Sequence, residues 1–346
     1  MLARRIAVAV FLAGATARAQ PSSCDEKHIH HFVFFGGDRE NIRTDTVFLN
    51  TKAIEGAQIL YTWKFLEKGK DEYNFAPVRE DLEFLKSKGK KLWIQLQDVS
   101  FSESRINVPQ YLLADSAYHG GAVKQYEVRG DNDSSVVVAG WVARRWDPAV
   151  QARFARLLMA LGKEFDGKIE GINLPETAIG FGSTGRYFPE GFTHESYRAA
   201  IKTNMKALKL AFPKSVALQY ANFIPGEWRP YQDKGYLREI YDAAKTLNVG
   251  VGGPDLMPSR PGQMKSSYPL IRDAAGIVPT GVAVQDGNLE EINPKTEKRV
   301  TSCELIQFAT DYLKLDYIFW GTQEPYYSQD VIPTLRLRSQ VTAAHH

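Results

Sequence analysis

The sequence predicts a (β/α)8 TIM barrel. Eight short β-rich runs are spread along the chain, stretches of helical period lie between them, and glycine or proline stops several of those stretches. The strands are expected at 31–35, 58–63, 91–97, 169–173, 216–220, 249–253, 281–284 and 317–320. The intervening segments include "REDLEFLKSKG", "PAVQARFARLLMALGKEF", "YRAAIKTNMKALKLAF" and "YLREIYDAAKTL", each with apolar residues three and four apart. Gly89 and Pro213 are the stop signals after the first and third of these. An open doubly wound sheet is the rival arrangement. It usually carries a glycine-rich first turn, and "FFGGDREN" lacks the GxGxxG spacing.

Taken in order, the chain opens with a basic start (Arg4, Arg5), an apolar run and an Ala17-Arg18-Ala19 site. Residues 1–19 therefore read as a cleavable secretory signal, too short to span a bilayer, and the expected location is secreted or periplasmic. Residues 20–344 read as one barrel domain, with the closing His345-His346 pair set aside. The segment 99–145, after the third strand, is far longer than an ordinary βα loop and contains "NVPQYLL", "YHGG" and the polar "RGDNDSS". A long loop in a compact domain is more often a wall of a functional cleft than slack chain.

Removing Arg4, Arg5 and Arg18 with the signal brings the 43 basic residues level with the 40 acidic ones. A neutral chain gives no basis for nucleic-acid or anionic-lipid binding, and no later apolar run is long enough to span a membrane. Cys24 and Cys303 are the only cysteines, so an oxidising compartment allows one bridge across a long loop. There is no CxxC, and His28, His30 and His31 fall in one short run, so no metal site and no cofactor are expected.

In this architecture chemistry gathers at the C-terminal ends of the strands. The polar residues there are Asp38, Trp63 with Lys64, Gln95 with Gln97 and Asp98, Asn173 with Glu176, Gln219 with Asn222, Asp255, Gln285 with Asp286, and Trp320 with Gln323 and Glu324. Amides and carboxylates hydrogen-bond sugar hydroxyls, and indole faces pack on pyranose rings. The set points to an oligo- or polysaccharide. For several members a plainer role stands beside this one: Trp63 as a core plug, Gln95 in a barrel-interior hydrogen bond, Glu176 in a loop ion pair, Asp255 as a helix cap.

"YTWKFLEKGKDEYNFAPVREDLEFLKSKGKKLWIQL" resembles the second and third βα units of the clan of retaining glycoside hydrolases built on a (β/α)8 barrel. "RRWDPAVQARFARLLMALGKEFDGKIEGINLPE" resembles their fourth unit, whose strand ends in an Asn and the acid/base Glu, and "DYIFWG" resembles their eighth strand, which places a Trp under the sugar. The likeness covers most of the chain after the signal. It implies Glu176 as acid/base, Trp320 as a sugar platform, and retention of configuration. Two features depart from the clan pattern: Leu174 and Pro175 separate Asn173 from Glu176, and "VAVQDGN" offers Asp286 where a Glu is expected.

Glycoside cleavage needs one protonated carboxyl near the leaving oxygen and one ionised carboxylate near the anomeric carbon or its attacking water. Glu176, behind Pro175 and close to Ile179 and Phe181, suits the acid role because apolar surroundings favour the neutral form. Asp286 is the first candidate for the ionised partner, since strands four and seven face each other across a barrel, and Glu324 is the alternative. The expected activity is glycoside hydrolysis. The rival readings are a carbohydrate-binding barrel without catalysis, and a lyase or transglycosylase on the same scaffold.

Overall fold

The computed structural model describes residues 29–129 and 135–337. The expected signal segment, residues 1–19, and Cys24 lie outside the described residues. Eight parallel strands close into a barrel. They are β1 His30–Phe34, β2 Ile54–Thr62, β3 Lys91–Gln97, β4 Gly171–Leu174, β5 Val216–Tyr220, β6 Gly250–Pro254, β7 Thr280–Val284 and β8 Tyr317–Gly321. Each pairs with its sequence neighbours, and β1 pairs with β8 from His30↔Tyr317 to Phe34↔Gly321, which closes the ring. The strands read as near-continuous apolar runs because both faces are covered, one by helices and the other by the barrel interior.

The longer helices are α1 Ala76–Ser87, α2 Pro148–Phe165, α3 His194–Ala211, α4 Tyr236–Leu247, α5 Ser267–Ala274 and α6 Ser302–Phe308. Local chemistry sets their ends. Asp147 caps α2 by accepting from the N–H groups of Ala149 and Val150, with Pro148 in the first turn. Thr193 and Ser196 form a reciprocal capping box on α3. Gly89, at φ +66°, follows the end of α1, and α3 stops at Ala211 because Phe212 precedes Pro213 and is pushed out of helical conformation.

The strands fall where the β-rich runs predict, with two instructive differences at their ends. β2 begins at Ile54 and stops at Thr62, whose side chain accepts from Phe65 N and starts a short helix, Trp63–Leu66. Trp63 therefore leaves the strand. β4 starts at Gly171 rather than Ile169, because the Ile169 N–H still bonds the Phe165 carbonyl at the end of α2.

Inside the barrel, Phe32, Trp93, Leu218, Tyr220, Ala283, Tyr317 and Phe319 form one packed cluster. The Trp93 ring centroid lies 4.8 Å from that of Phe319 and 4.9 Å from that of Tyr317. Gly171 makes room for this indole, since a Cβ there would stand 2.6 Å from the ring. Above the apolar layer the interior turns polar. Asn173 Oδ1 accepts from Gln58 Nε2 and Trp93 Nε1, each at 2.9 Å, and Gln58 Nε2 also donates to the Tyr220 hydroxyl at 3.1 Å. The interior is thus filled below and hydrogen-bonded towards the mouth.

Between β3 and α2 the chain builds a three-stranded antiparallel sheet from Val99–Ser100, Ala122–Arg129 and Ser135–Ala143, with a short helix at Gln110–Ala114. The sheet stands at the C-terminal end of the barrel, and the Tyr126 N–H donates to the Gly180 carbonyl in the loop after β4. Cys303, on α6, is in a disulfide. No helix among the described residues is long and apolar enough to cross a membrane, and no group of three or more His, Cys, Asp or Glu among them is placed to hold a metal ion.

Candidate active site

Glu176 sits on the loop that leaves β4, and its backbone is held from three sides. From β5, Gln219 Nε2 donates to the Pro175 carbonyl at 2.7 Å, and the Thr177 N–H donates to the Tyr220 carbonyl at 3.1 Å. From α3, the Tyr197 hydroxyl donates to the Thr177 carbonyl at 3.0 Å. Arg145 Nη1 donates to the Glu176 carbonyl itself at 3.1 Å. Arg145 is in turn gripped by Asp98 at the end of β3, with Nε to Oδ2 at 2.9 Å and Nη2 to Oδ1 at 2.6 Å. Both partners are 3% exposed. Burial works against the guanidinium's charge, but Asp98 and Tyr197 outweigh it and hold the group well above its ordinary value. Two parallel bonds of this kind fix the guanidinium in one orientation against the carboxyl group.

The Glu176 carboxyl has a different environment. Burial, the largest influence, disfavours its ionised form, and the negative charge of Asp255 acts in the same direction. A hydrogen bond from Asn222 Nδ2 to Oε2, and the more distant Arg145, oppose them. The balance pushes Glu176 up to about 7. At neutral pH it is therefore divided between an acid able to give a proton and a base able to take one. Asn222 is buried, and its Oδ1 has no hydrogen-bond partner among the described residues.

Asp255 follows β6 with φ at +71°, a conformation that costs a non-glycine residue on the order of 1 to 2 kcal/mol. The surroundings enforce it. The Tyr268 hydroxyl donates to the Asp255 carbonyl at 2.6 Å, and Asn288 Nδ2 donates to Oδ1 at 2.9 Å. Asn288 Oδ1 accepts from the N–H groups of Leu256 and Gln285, both at 3.0 Å, which ties the β6 and β7 loops into one unit. Asp255 Oδ2 has no protein partner among the described residues. Gly253, two residues earlier, lies against Asn222, whose Cβ would be 3.5 Å from a Cβ on the glycine. Glu176, Asn222 and Asp255 thus form a line across the ends of β4, β5 and β6.

On the other side of the mouth, Asp38, Gln285 and Asp286 line a cleft of about 350 Å³ with Phe34, Phe35, Gly36, Gly321 and Thr322. Asp286 shares this cleft with Asp38, whereas the carboxylate whose charge bears on Glu176 is Asp255.

The remaining residues singled out from the sequence divide into three groups. Asp98 and Gln219 brace the Glu176 loop, and Asn173 lies fully buried in the barrel interior. Gln95 and Gln97 point buried Oε1 atoms, without partners among the described residues, from β3. The others lie away from this line. Trp63 is fully buried and donates to Glu67 Oε2, and Trp320 is fully buried and donates to His31 Nδ1 at 2.9 Å. Neither indole presents a face for a sugar, which corrects the platform role expected of them: each fills the space around the barrel wall. Lys64 is exposed on the short helix that follows β2. Gln323 accepts from the Gly287 N–H and donates to Glu290, bracing the β7 loop. Glu324 is exposed and accepts from the Ser328 hydroxyl at 2.6 Å and the Ser328 N–H. It stays on its own turn, as a cap would.

Sequence reasoning missed Arg145, Tyr197 and Asn288. Arg145 stands in "RRWDP" ahead of α2, Tyr197 lies within α3, and Asn288 closes the "VAVQDGN" stretch, where Asp286 is the residue that carries the charge. Only the fold brings them to the site.

No protein-family model matches the chain, and no curated protein does. Solved structures do match. The catalytic domain of β-amylase from Paenibacillus polymyxa superposes with a TM-score of 0.55 at 10% identity, covering 86% of this chain and 93% of that one. A GH10 endoxylanase retrieved from a sugarcane soil metagenome gives 0.52 at 11% identity, covering 87% and 89%. The likeness extends over nearly the whole barrel, and at this identity it shows the fold alone: a closed (β/α)8 barrel.

Proposed function

We propose that the protein is an exported glycoside hydrolase acting on an oligo- or polysaccharide, with Glu176 as the proton-donating carboxyl. The observation that carries this reading is the state of Glu176: a carboxyl at the barrel mouth, shifted to about 7, on a backbone braced by Arg145, Gln219 and Tyr197. In the reaction its proton passes to the glycosidic oxygen as the C1–O bond breaks. An ionised carboxylate nearby then supports attack at C1, directly or by taking a proton from water. We assign that second role to Asp255 rather than to Asp286 or Glu324. Asp255 bears electrostatically on Glu176, and its second oxygen has no hydrogen-bond partner among the described residues, whereas Asp286 lines the cleft with Asp38 and Glu324 is held by Ser328.

The test is a set of four variants assayed on natural glycans and on an activated aryl glycoside. Glu176→Gln should lower turnover on natural glycans by at least about a hundredfold and cost less on the aryl substrate, whose leaving group needs little protonation. Asp255→Asn should abolish cleavage of both, with activity regained as a glycosyl azide on adding azide. Asp286→Asn and Glu324→Gln should keep measurable turnover. Loss of both substrates in Asp286→Asn, with an active Asp255→Asn, transfers the role to Asp286. A wild type that binds glycans and cleaves none rejects hydrolysis in favour of a binding barrel.

A further inference from the structure

Beyond Asn222 the β5 loop does something its sequence does not announce: it exposes large aromatic rings on a rigid support. Phe223 follows the residue that donates to Glu176, and its carbonyl accepts from the hydroxyl of Thr177, the residue after Glu176. The Trp228 ring lies over Phe223, with centroids 5.4 Å apart and planes 12° apart, and Trp228 is 53% exposed. Tyr231 is 75% exposed, with the Lys265 ammonium 5.7 Å from its ring centroid.

The support is stiff. The buried Glu227 carboxylate accepts from the N–H groups of Lys234, Tyr236 and Leu237, which fastens the loop to the start of α4. The Gln232 N–H closes back on the Trp228 carbonyl at 2.8 Å, and Arg229 pairs with Asp233. Gly226, at φ +83°, lies so near the His194 ring that a Cβ would stand 2.7 Å from it. A side chain as apolar as indole gains free energy by folding inward, so a braced loop that holds one outward marks a surface for a ligand with a flat apolar face.

We propose that Trp228 and Tyr231 form a subsite for an uncharged pyranose ring of the substrate chain, beyond the bond at Glu176. The ring's C–H face packs on the indole, and its hydroxyls reach Lys265 and the tyrosine hydroxyl at the rim. Continuity supports this occupant: the platform grows out of the segment that carries Asn222 and is bonded to the segment that carries Glu176. The consequence is a preference for long glycans over disaccharides. This inference rests on the glycosidase reading for where the chain runs, but ring binding itself needs no cleavage.

The experiment measures affinity of wild type, Trp228→Ala, Trp228→Phe and Tyr231→Ala for xylo-, malto-, cello- and chito-oligosaccharides from disaccharide to hexasaccharide, by calorimetry and tryptophan fluorescence. Thermal melts confirm that each variant folds. Wild-type affinity for at least one series should rise with length, and Trp228→Ala should lose about tenfold on the longest member and a smaller factor on the disaccharide. Trp228→Phe should recover part of the loss. If binding depends on length and on Trp228 while no glycan is cleaved, the platform stands and the hydrolase reading fails. If glycans are cleaved and Trp228→Ala matches wild type at every length, or loses equally at every length, the platform is overturned. It is equally overturned if wild type binds no member of any series.

Discussion

Glu176 has the same chemistry as the exposed glutamates of the chain, and its setting alone makes it different. Its folded-state value of about 7 stands above the ordinary 4.5, so the native state prefers the protonated form. The stability this gives is fully present below the unfolded value and is lost as pH rises through the folded value. The window therefore runs from about pH 4.5 to 7, and the shift corresponds to on the order of 3 kcal/mol. Glu176→Gln, which keeps the shape and cannot ionise, should melt higher than wild type at pH 8, with the advantage shrinking towards pH 5. Melting curves at the two pH values measure this, and an advantage independent of pH refutes the burial account. Pro175, Ile179 and Phe181, close to Glu176 along the chain, are visible in the sequence. Its electrostatic neighbour is not: "GVGGPD" gives no sign that Asp255 will be turned to φ +71° and aimed by an asparagine more than thirty residues downstream.

At the scale of elements, the barrel strands were legible because parallel strands buried on both faces leave uninterrupted β-branched and aromatic runs. Their ends were less legible, as Trp63 shows, because one side-chain cap at Thr62 decides whether the next residue is strand or helix. The contacts between elements were not legible at all. Arg145 joins three of them: Asp98 from β3, the Glu176 carbonyl from the β4 loop and the Tyr197 hydroxyl from α3. Removing one member of a buried pair leaves the other charged and unpaired, which costs more than the pair contributes. Arg145→Met should thus destabilise by about 3 to 5 kcal/mol, and adding Asp98→Asn to it should restore part of that loss. Urea unfolding of the two single variants and the double variant completes the cycle. Strictly additive losses would show that the two residues act independently.

For the whole molecule the decisive property is closure. The barrel joins its first and last strands through β1 and β8, so His30 and Tyr317, far apart in the sequence, meet in one wall. Conformational entropy opposes that meeting, and the cost grows with the length of chain between the joined points. Cys303 lies on α6, the helix that leads towards β8, and it is held in a disulfide. The other cysteine of the sequence is Cys24, ahead of β1, and we expect the bridge to join the two. A covalent loop enclosing β1 to β7 restricts the unfolded chain in the direction that the β1–β8 pairing requires of the folded one. In the chain-entropy description a loop this long contributes on the order of 5 kcal/mol. Alkylation of the unreduced protein should find no free thiol, and reduction should release two. Reduction should also lower the melting temperature of the wild type while leaving Cys303→Ala unmoved at the lower value. A wild type that melts identically with and without reductant would show that the β1–β8 ladder and the surrounding packing close the barrel without covalent help.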